Sequence, residues 1–144
     1  QSASNNKLPS GGKCFISVKD KDKEATVEIA QSLIGLGFSI VATRGTASYL
    51  SAKGIKVDTI NKVTEARPNC VDLIKNRELS FIINTVTGAQ AQRDSLSIRR
   101  SALQYGVPYT TTISGARAAV KAISMLAKRQ LQIKSLQEYH REIG

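Results

Sequence analysis

Cysteine and histidine are nearly missing: Cys14, Cys70 and His140 are all that 144 residues provide. Two thiols so far apart make neither a disulfide framework nor a metal site, and one histidine leaves the usual zinc spacings empty. No metal is expected, and reduced thiols suit the cytoplasm. Long apolar runs are missing too. Nothing approaches the roughly 18 uninterrupted apolar residues of a membrane span, and the amino terminus lacks the charged and apolar regions of a signal peptide. A soluble chain with no membrane partner is therefore expected. Acidic residues are absent from residues 96–137, where seven Lys/Arg stand without one Asp or Glu. Aromatics are scarce in the same stretch, which offers only Tyr105 and Tyr109. Binders of single-stranded nucleic acid interleave aromatic platforms with their basic residues. Despite a net charge of +10, the stretch reads as a solvated basic face or a surface for an acidic neighbour, and no nucleic-acid partner is expected.

What is present fits one domain, long enough to bury roughly two thirds of its unfolded surface. The opening "QSASNNKLPSGG" is polar, rich in Gly, Ser and Asn, and begins without Met. It reads as a linker over residues 1–12 from a preceding domain, with the folded unit over 13–144. Beyond it, apolar runs of strand character alternate with stretches of helical period. The runs are "KCFISV" (13–18), "FSIVA" (38–42), "KVDTI" (56–60), "LSFIIN" (79–84) and "VPYTTT", the last an edge strand because Pro108 has no N–H for a ladder.

Between these runs, Val27, Ala30, Leu33 and Ile34 give a helical stripe closed by Gly35 and Gly37. "TASYLSAKG", "CVDLIKNRE" and "LSIRRSALQYG" read as shorter helices, and "TVTGAQAQRDS" as a loop. "SGARAAVKAISMLAKRQ" is a long helix, and "SLQE" at 135–138 is a capping-box pattern that would start a separate terminal helix. This alternation predicts an α/β fold: a three-layer, open, parallel five-stranded sheet with helices on both faces.

In such sheets ligands bind beyond the carboxyl ends of the strands, near the point where strand order reverses. Three polar segments fall there. Thr43, Arg44, Gly45 and Thr46 follow the second strand and open a helix, where free backbone N–H groups and the helix dipole attract an anion. Taken alone, Thr43 or Thr46 reads as a helix cap. Ser17 and Lys23 flank the end of the first strand, Lys62 follows the third, and Asn84, Thr85, Thr87 and Gly88 follow the fourth. Together these hydroxyl, amide and ammonium donors describe a phosphate pocket. Asp20, Asp22, Asp58 and Glu65 pair with no second carboxylate, histidine or metal pattern, and Asp20 and Asp22 read as helix caps. The rim is thus one for binding, with no catalytic residue expected.

The succession of "VATRGTA", "NKVTEARP", "IINT" and "IRRSALQY" resembles the C-terminal domain of the carbamoyl phosphate synthetase large chain over nearly everything from Gly12 onward. That domain is methylglyoxal-synthase-like, binds allosteric effectors and joins large chains into oligomers. The resemblance implies a nucleotide monophosphate pocket for UMP or IMP at Ser17, Lys23, Thr43, Gly45, Thr46, Lys62, Val63, Asn84 and Thr85, to which the reading of the rim adds Arg44 and Thr87. It also implies an ornithine-facing side at Tyr109, Thr110 and Thr111. Against the enterobacterial pattern, Arg44 stands for His, Val86 for Thr, Ala89 and Gln90 for an Arg pair, and Thr110 for Asp, so departures gather at sugar, base and ornithine contacts. The implied partners are the remainder of the large chain, a glutaminase small chain and further copies of the same chain. The parent enzyme would use ATP with Mg or Mn to make carbamoyl phosphate for pyrimidine and arginine synthesis, with no cofactor in this domain. The alternative is a phosphate-eliminating enzyme like methylglyoxal synthase. It would need a carboxylate base and a histidine at the rim, whereas "TVTGAQAQRD" lacks the glycine-rich, Asp-bearing segment of such enzymes.

Overall fold

A computed structural model describes the backbone of residues 12–143 and the side chains of residues 12–133. Five parallel strands, β1 (Gly12–Ser17), β2 (Phe38–Thr43), β3 (Asp58–Ile60), β4 (Leu79–Asn84) and β5 (Tyr109–Thr110), form one sheet in the order β3-β2-β1-β4-β5. Six helices connect or flank them: α1 (Lys23–Gly35), α2 (Arg44–Ala52), α3 (Cys70–Lys75), α4 (Ala89–Asp94), α5 (Leu96–Gln104) and α6 (Ile113–Ile143). The expected three-layer architecture is what the chain adopts, with β5 at an edge.

Alternation along the strands supplies the two faces. Cys14, Ile16 and Val18, with Phe38, Ile40, Phe81 and Ile83, pack under α1, α2 and α6; Phe15, Val41 and Ile82 pack under α3 and α5. Burying Phe15, Ile16, Phe81, Ile82 and Ile83 almost completely contributes about 1.5–3 kcal/mol for each side chain. On α1 the buried stripe is Thr26, Ile29, Ala30 and Leu33. Ile34, expected inside, is 40% exposed, because the core-facing positions are i, i+3, i+4 and i+7 counted from Thr26.

Four expectations need correction. Gly12 belongs to β1 and not to the linker. It takes φ +115°, and a Cβ there would lie 2.2 Å from Ser80 Oγ, so only glycine starts the strand at this spot; the rest of the proposed linker, residues 1–11, lies outside the described residues. The loop after β4 contains a helix, α4, preceded by Gly88 at φ +89°. No new helix begins at Ser135, since α6 runs unbroken from Ile113 to Ile143; strong helix formers on both sides make propagation cheaper than a fresh nucleus. Asp22 stands at the N-cap of α1, and neither its side chain nor that of Asp20 makes a capping hydrogen bond.

β1 is the switch point. The chain runs outward from it to β2 and β3 on one side, then returns to lay β4 and β5 on the other. At the carboxyl edge, between β1 and β4, the connections diverge and leave an opening.

Candidate functional site

A cleft of about 380 Å³ occupies that opening. From the end of β1 it receives Ser17, Val18, Lys19 and Asp20, and from the first turn of α1, Lys23; β2 and the start of α2 add Thr43, Gly45 and Thr46. Lys62 and Val63 come from the loop after β3, and Asn84, Thr85 and Thr87 from the segment after β4. Ten of the eleven residues named as a nucleotide pocket therefore line one cavity. The exception is Arg44. It is exposed and outside the lining, because as the first helical residue after Thr43 it is carried round to the solvent side while its neighbours face inward.

Backbone hydrogen bonds fix the role of two of the hydroxyl oxygens. The Val18 N–H donates to Thr46 Oγ1 at 3.2 Å, and the Lys19 N–H donates to Thr85 Oγ1 at 3.1 Å. Since an amide can only donate, each threonine oxygen is the acceptor and keeps its own hydrogen free. Thr43 Oγ1 donates to Ser17 Oγ at 3.1 Å, which leaves the Ser17 hydrogen free in turn. Three hydroxyl hydrogens are thus available to an acceptor in the cleft. Neither threonine caps α2: Thr43 is at the N-cap position without a side-chain bond to the helix. Thr43, Thr46, Asn84 and Thr85 are all buried, so the donor set is held rigidly.

Two cations flank it. Lys23 has a side chain only 18% exposed and an ion pair to Asp20. That pairing, a hydrogen bond first and charge attraction second, holds the Asp20 carboxyl below its ordinary range. Lys62 is exposed and rides on a loop that is fastened at both ends. Its N–H donates to Glu65 Oε1, Asn61 Nδ2 donates to the Pro68 carbonyl, and Asn69 Nδ2 donates to the Ala66 carbonyl. Asn69 also caps α3 in a complete capping box with Asp72, a device that contributes about 1 kcal/mol. Arg67, followed by a hydrogen bond from the Asn69 N–H, holds the Asp72 carboxyl below its usual range.

Asn84 forms the wall toward a second hollow of about 400 Å³. Its Nδ2 donates to Ser95 Oγ and to the Tyr109 hydroxyl, both at 3.0 Å. Tyr109 and Thr111 line that hollow with Arg99, whose guanidinium lies 5.7 Å from the Tyr109 ring centre. Thr110, named with them, turns its hydroxyl to the Ile82 carbonyl at 3.4 Å.

Several lining residues were not foreseen: Lys19, Asn61, Asp94, Ser95 and Ile98. Asp94 and Ser95 sit in and just after α4, the helix hidden in a stretch read as loop, and no sequence signal marked them. Both carboxylates of the lining are engaged, Asp20 by Lys23 and Asp94 by Gln90 Nε2 at 2.9 Å. No histidine is among the lining residues, and His140 lies outside the described side chains. Cys70 reaches the lining but is 1% exposed, and burial pushes its thiol up. No group of three metal-ligating side chains, and no helix long and apolar enough to cross a membrane, occurs among the described residues.

A parallel sheet in this strand order, with a donor-lined cleft at its switch point, defines an α/β domain of the methylglyoxal-synthase-like kind. The chain belongs to that family: the model of the MGS-like domain matches residues 25–111. More particularly, it is 51% identical over 139 residues to the carbamoyl phosphate synthase large chain of Myxococcus xanthus, covering 96% of this chain and 13% of that one. It is 44% identical over 143 residues to the large chain of Methanosarcina acetivorans, covering 99% and 13%. The chain thus spans about 13% of the length of these relatives. Among solved structures, methylglyoxal synthase from Elizabethkingia anophelis superposes with a TM-score of 0.64 at 16% identity, covering 78% of this chain and 79% of that one. At that identity the likeness is one of fold.

Proposed function

We propose that the cleft captures the phosphate of an allosteric nucleoside monophosphate, UMP or IMP. On this reading the chain is the regulatory and oligomerisation domain at the C-terminal end of a carbamoyl phosphate synthase large chain. One observation carries it: the free hydroxyl hydrogens of Ser17, Thr46 and Thr85 and the ammonium groups of Lys23 and Lys62 converge on one cavity. Such a constellation is complementary to an oxygen-rich dianion. The remainder of the cleft, walled by Val63, Ile98 and Ser95, leaves room for a sugar and base, and its volume is that of a small-molecule site. The parent enzyme would work in the cytoplasm with a glutaminase small chain, using ATP with Mg or Mn, and its chemistry would lie in other domains.

The lining pairs no carboxylate with a histidine, which supports binding over phosphate elimination. Arg99 and the lack of any carboxylate in the second hollow support a nucleotide, and not the twice-cationic ornithine, as the ligand. Calorimetric titration with UMP, IMP, phosphoribosyl pyrophosphate and ornithine tests the reading. We expect saturable binding of UMP or IMP at one site per chain and no heat from ornithine. Silence from all three phosphorylated ligands would leave only the oligomerisation role. Methylglyoxal production from dihydroxyacetone phosphate would replace the reading with the enzymatic one.

A further inference from the structure

We propose that Asp20 is a tethered counter-anion of the cleft: it occupies Lys23 in the empty site, so a ligand binds by exchanging its own anionic group for this carboxylate. The inference rests on the phosphate reading above and concerns which anions the site accepts. Asp20 and Lys23 both line the cleft, and their side chains meet at 2.5 Å. Asp20 is 96% exposed at its side chain while Lys23 is 18% exposed. The cation is therefore fixed in the wall, and the anion is the partner able to swing away. It sits in a 3₁₀ turn, Asp20–Asp22, closed by the Asp22 N–H on the Lys19 carbonyl, so no part of the turn depends on the Asp20 side chain.

The charges around the pair are Lys19 and Asp22 from the same segment, which face each other at 3.9 Å, Lys62 from across the cleft, and Asp94 from α4. None supplies Lys23 with another anion: Asp22 faces Lys19, and Asp94 is held by Gln90. When a ligand arrives, Lys23 gains its anionic oxygens and loses Asp20, whose negative charge remains nearby and unpaired. A singly charged ligand replaces like with like and gains little. A phosphate monoester near neutral pH carries up to two charges and three acceptor oxygens, enough to displace the carboxylate and still engage the hydroxyl hydrogens. Asp20 thereby sets a threshold that the anionic group of any ligand must exceed, one that a monoester has the charge and acceptor oxygens to pass.

The test is calorimetric titration of the 144-residue chain at pH 7.5 with ribose 5-phosphate, a monoester, and with dimethyl phosphate, a diester. The parent is compared with Asp20→Asn and Asp20→Glu. Asp20→Asn should tighten ribose 5-phosphate about two- to fivefold, the range that exposed ion pairs are worth, and should raise dimethyl phosphate binding by no more than that, since the cost of freeing Lys23 is common to both ligands and the residual repulsion from Asp20 acts more strongly on the dianion. Asp20→Glu should keep the parent's affinity and preference. Thermal melting should be unchanged in both variants. Equal or weaker ribose 5-phosphate binding in Asp20→Asn, or an Asp20→Glu variant that binds as tightly as Asp20→Asn, overturns the counter-anion role. A parent and variants that all ignore ribose 5-phosphate would instead overturn the phosphate cleft itself, so the two failures are distinguishable.

Discussion

A chain carrying Lys23→Ala together with Lys62→Ala should melt like the parent and show no measurable nucleotide binding. Hydrogen bonds to charged groups contribute about 1.5–3 kcal/mol each, so each ammonium accounts for roughly 10- to 150-fold in affinity. The two are not equal. Lys23 is enclosed by the wall of the cleft, whereas Lys62 is exposed on the loop after β3. Water and salt therefore screen Lys62 more strongly, and Lys62→Ala alone should fall at the lower end of the range, with Lys23→Ala at the upper end. Neither lysine is part of the core, and the loop bearing Lys62 is fastened through backbone and asparagine bonds that do not use its side chain. Calorimetry for binding and thermal denaturation for folding separate the two effects. A stable double variant that binds UMP or IMP as the parent does would show that the phosphate lies elsewhere.

Gly45→Val should separate binding from folding even more sharply. Gly45 does not adopt positive φ, and a Cβ built on it would meet only Lys23 Nζ, at an ordinary 3.6 Å. The first turn of α2 accepts a side chain there without strain, and valine is the better helix former by a few tenths of a kcal/mol. The added carbons would, however, occupy the cleft beside Lys23, where an anion must come close to the backbone at the start of α2. Binding should weaken on the order of 100-fold, near the upper end of what forced overpacking costs, with the melting temperature unchanged or slightly raised. A lowered melting temperature with intact binding would make Gly45 a residue of the scaffold.

How far the sequence revealed the site depends on which physical signal each residue carries. Ser17, Thr43, Thr46, Asn84 and Thr85 were legible because they end apolar strand runs, and a parallel sheet gathers all such ends along one edge. Arg44 was misplaced for the complementary reason: strand ends are located by pattern, but the direction of a side chain in the first turn of a helix depends on helix phase. The hydrogen-bond directions of Thr46 and Thr85 were illegible, since their amide partners, Val18 and Lys19, are 28 and 66 residues away. Asp94 and Ser95 were missed because α4 is six residues long and buries none of them, leaving no apolar period to detect. The capping-box letters from Ser135 onward were real but local, and continuous helical hydrogen bonding overrode them. The family resemblance was carried by short motifs, three of them at or just after strand ends, where several of their residues line the cleft, and the fourth, "IRRSALQY", on α5, which gives the lining only Ile98.

The placement of β1 at the centre of the sheet bears on the order in which the site can come into being. β1 is made first, yet it must pair with both β2 and β4, and the β4 register joins Ser17 to Asn84. A nascent or partly folded chain that has closed only β1, β2 and β3 holds Thr43 and Thr46 but lacks the Thr85 side of the cleft. Every ligand contact that spans the switch point therefore exists only once two halves of the chain have met across a long loop, a slow kind of closure. By mass action a ligand at about one hundred times its Kd would add about 2.7 kcal/mol to the completed fold and nothing to its incomplete forms. Occupancy of the cleft would thus act as a clasp between the two halves of the sheet.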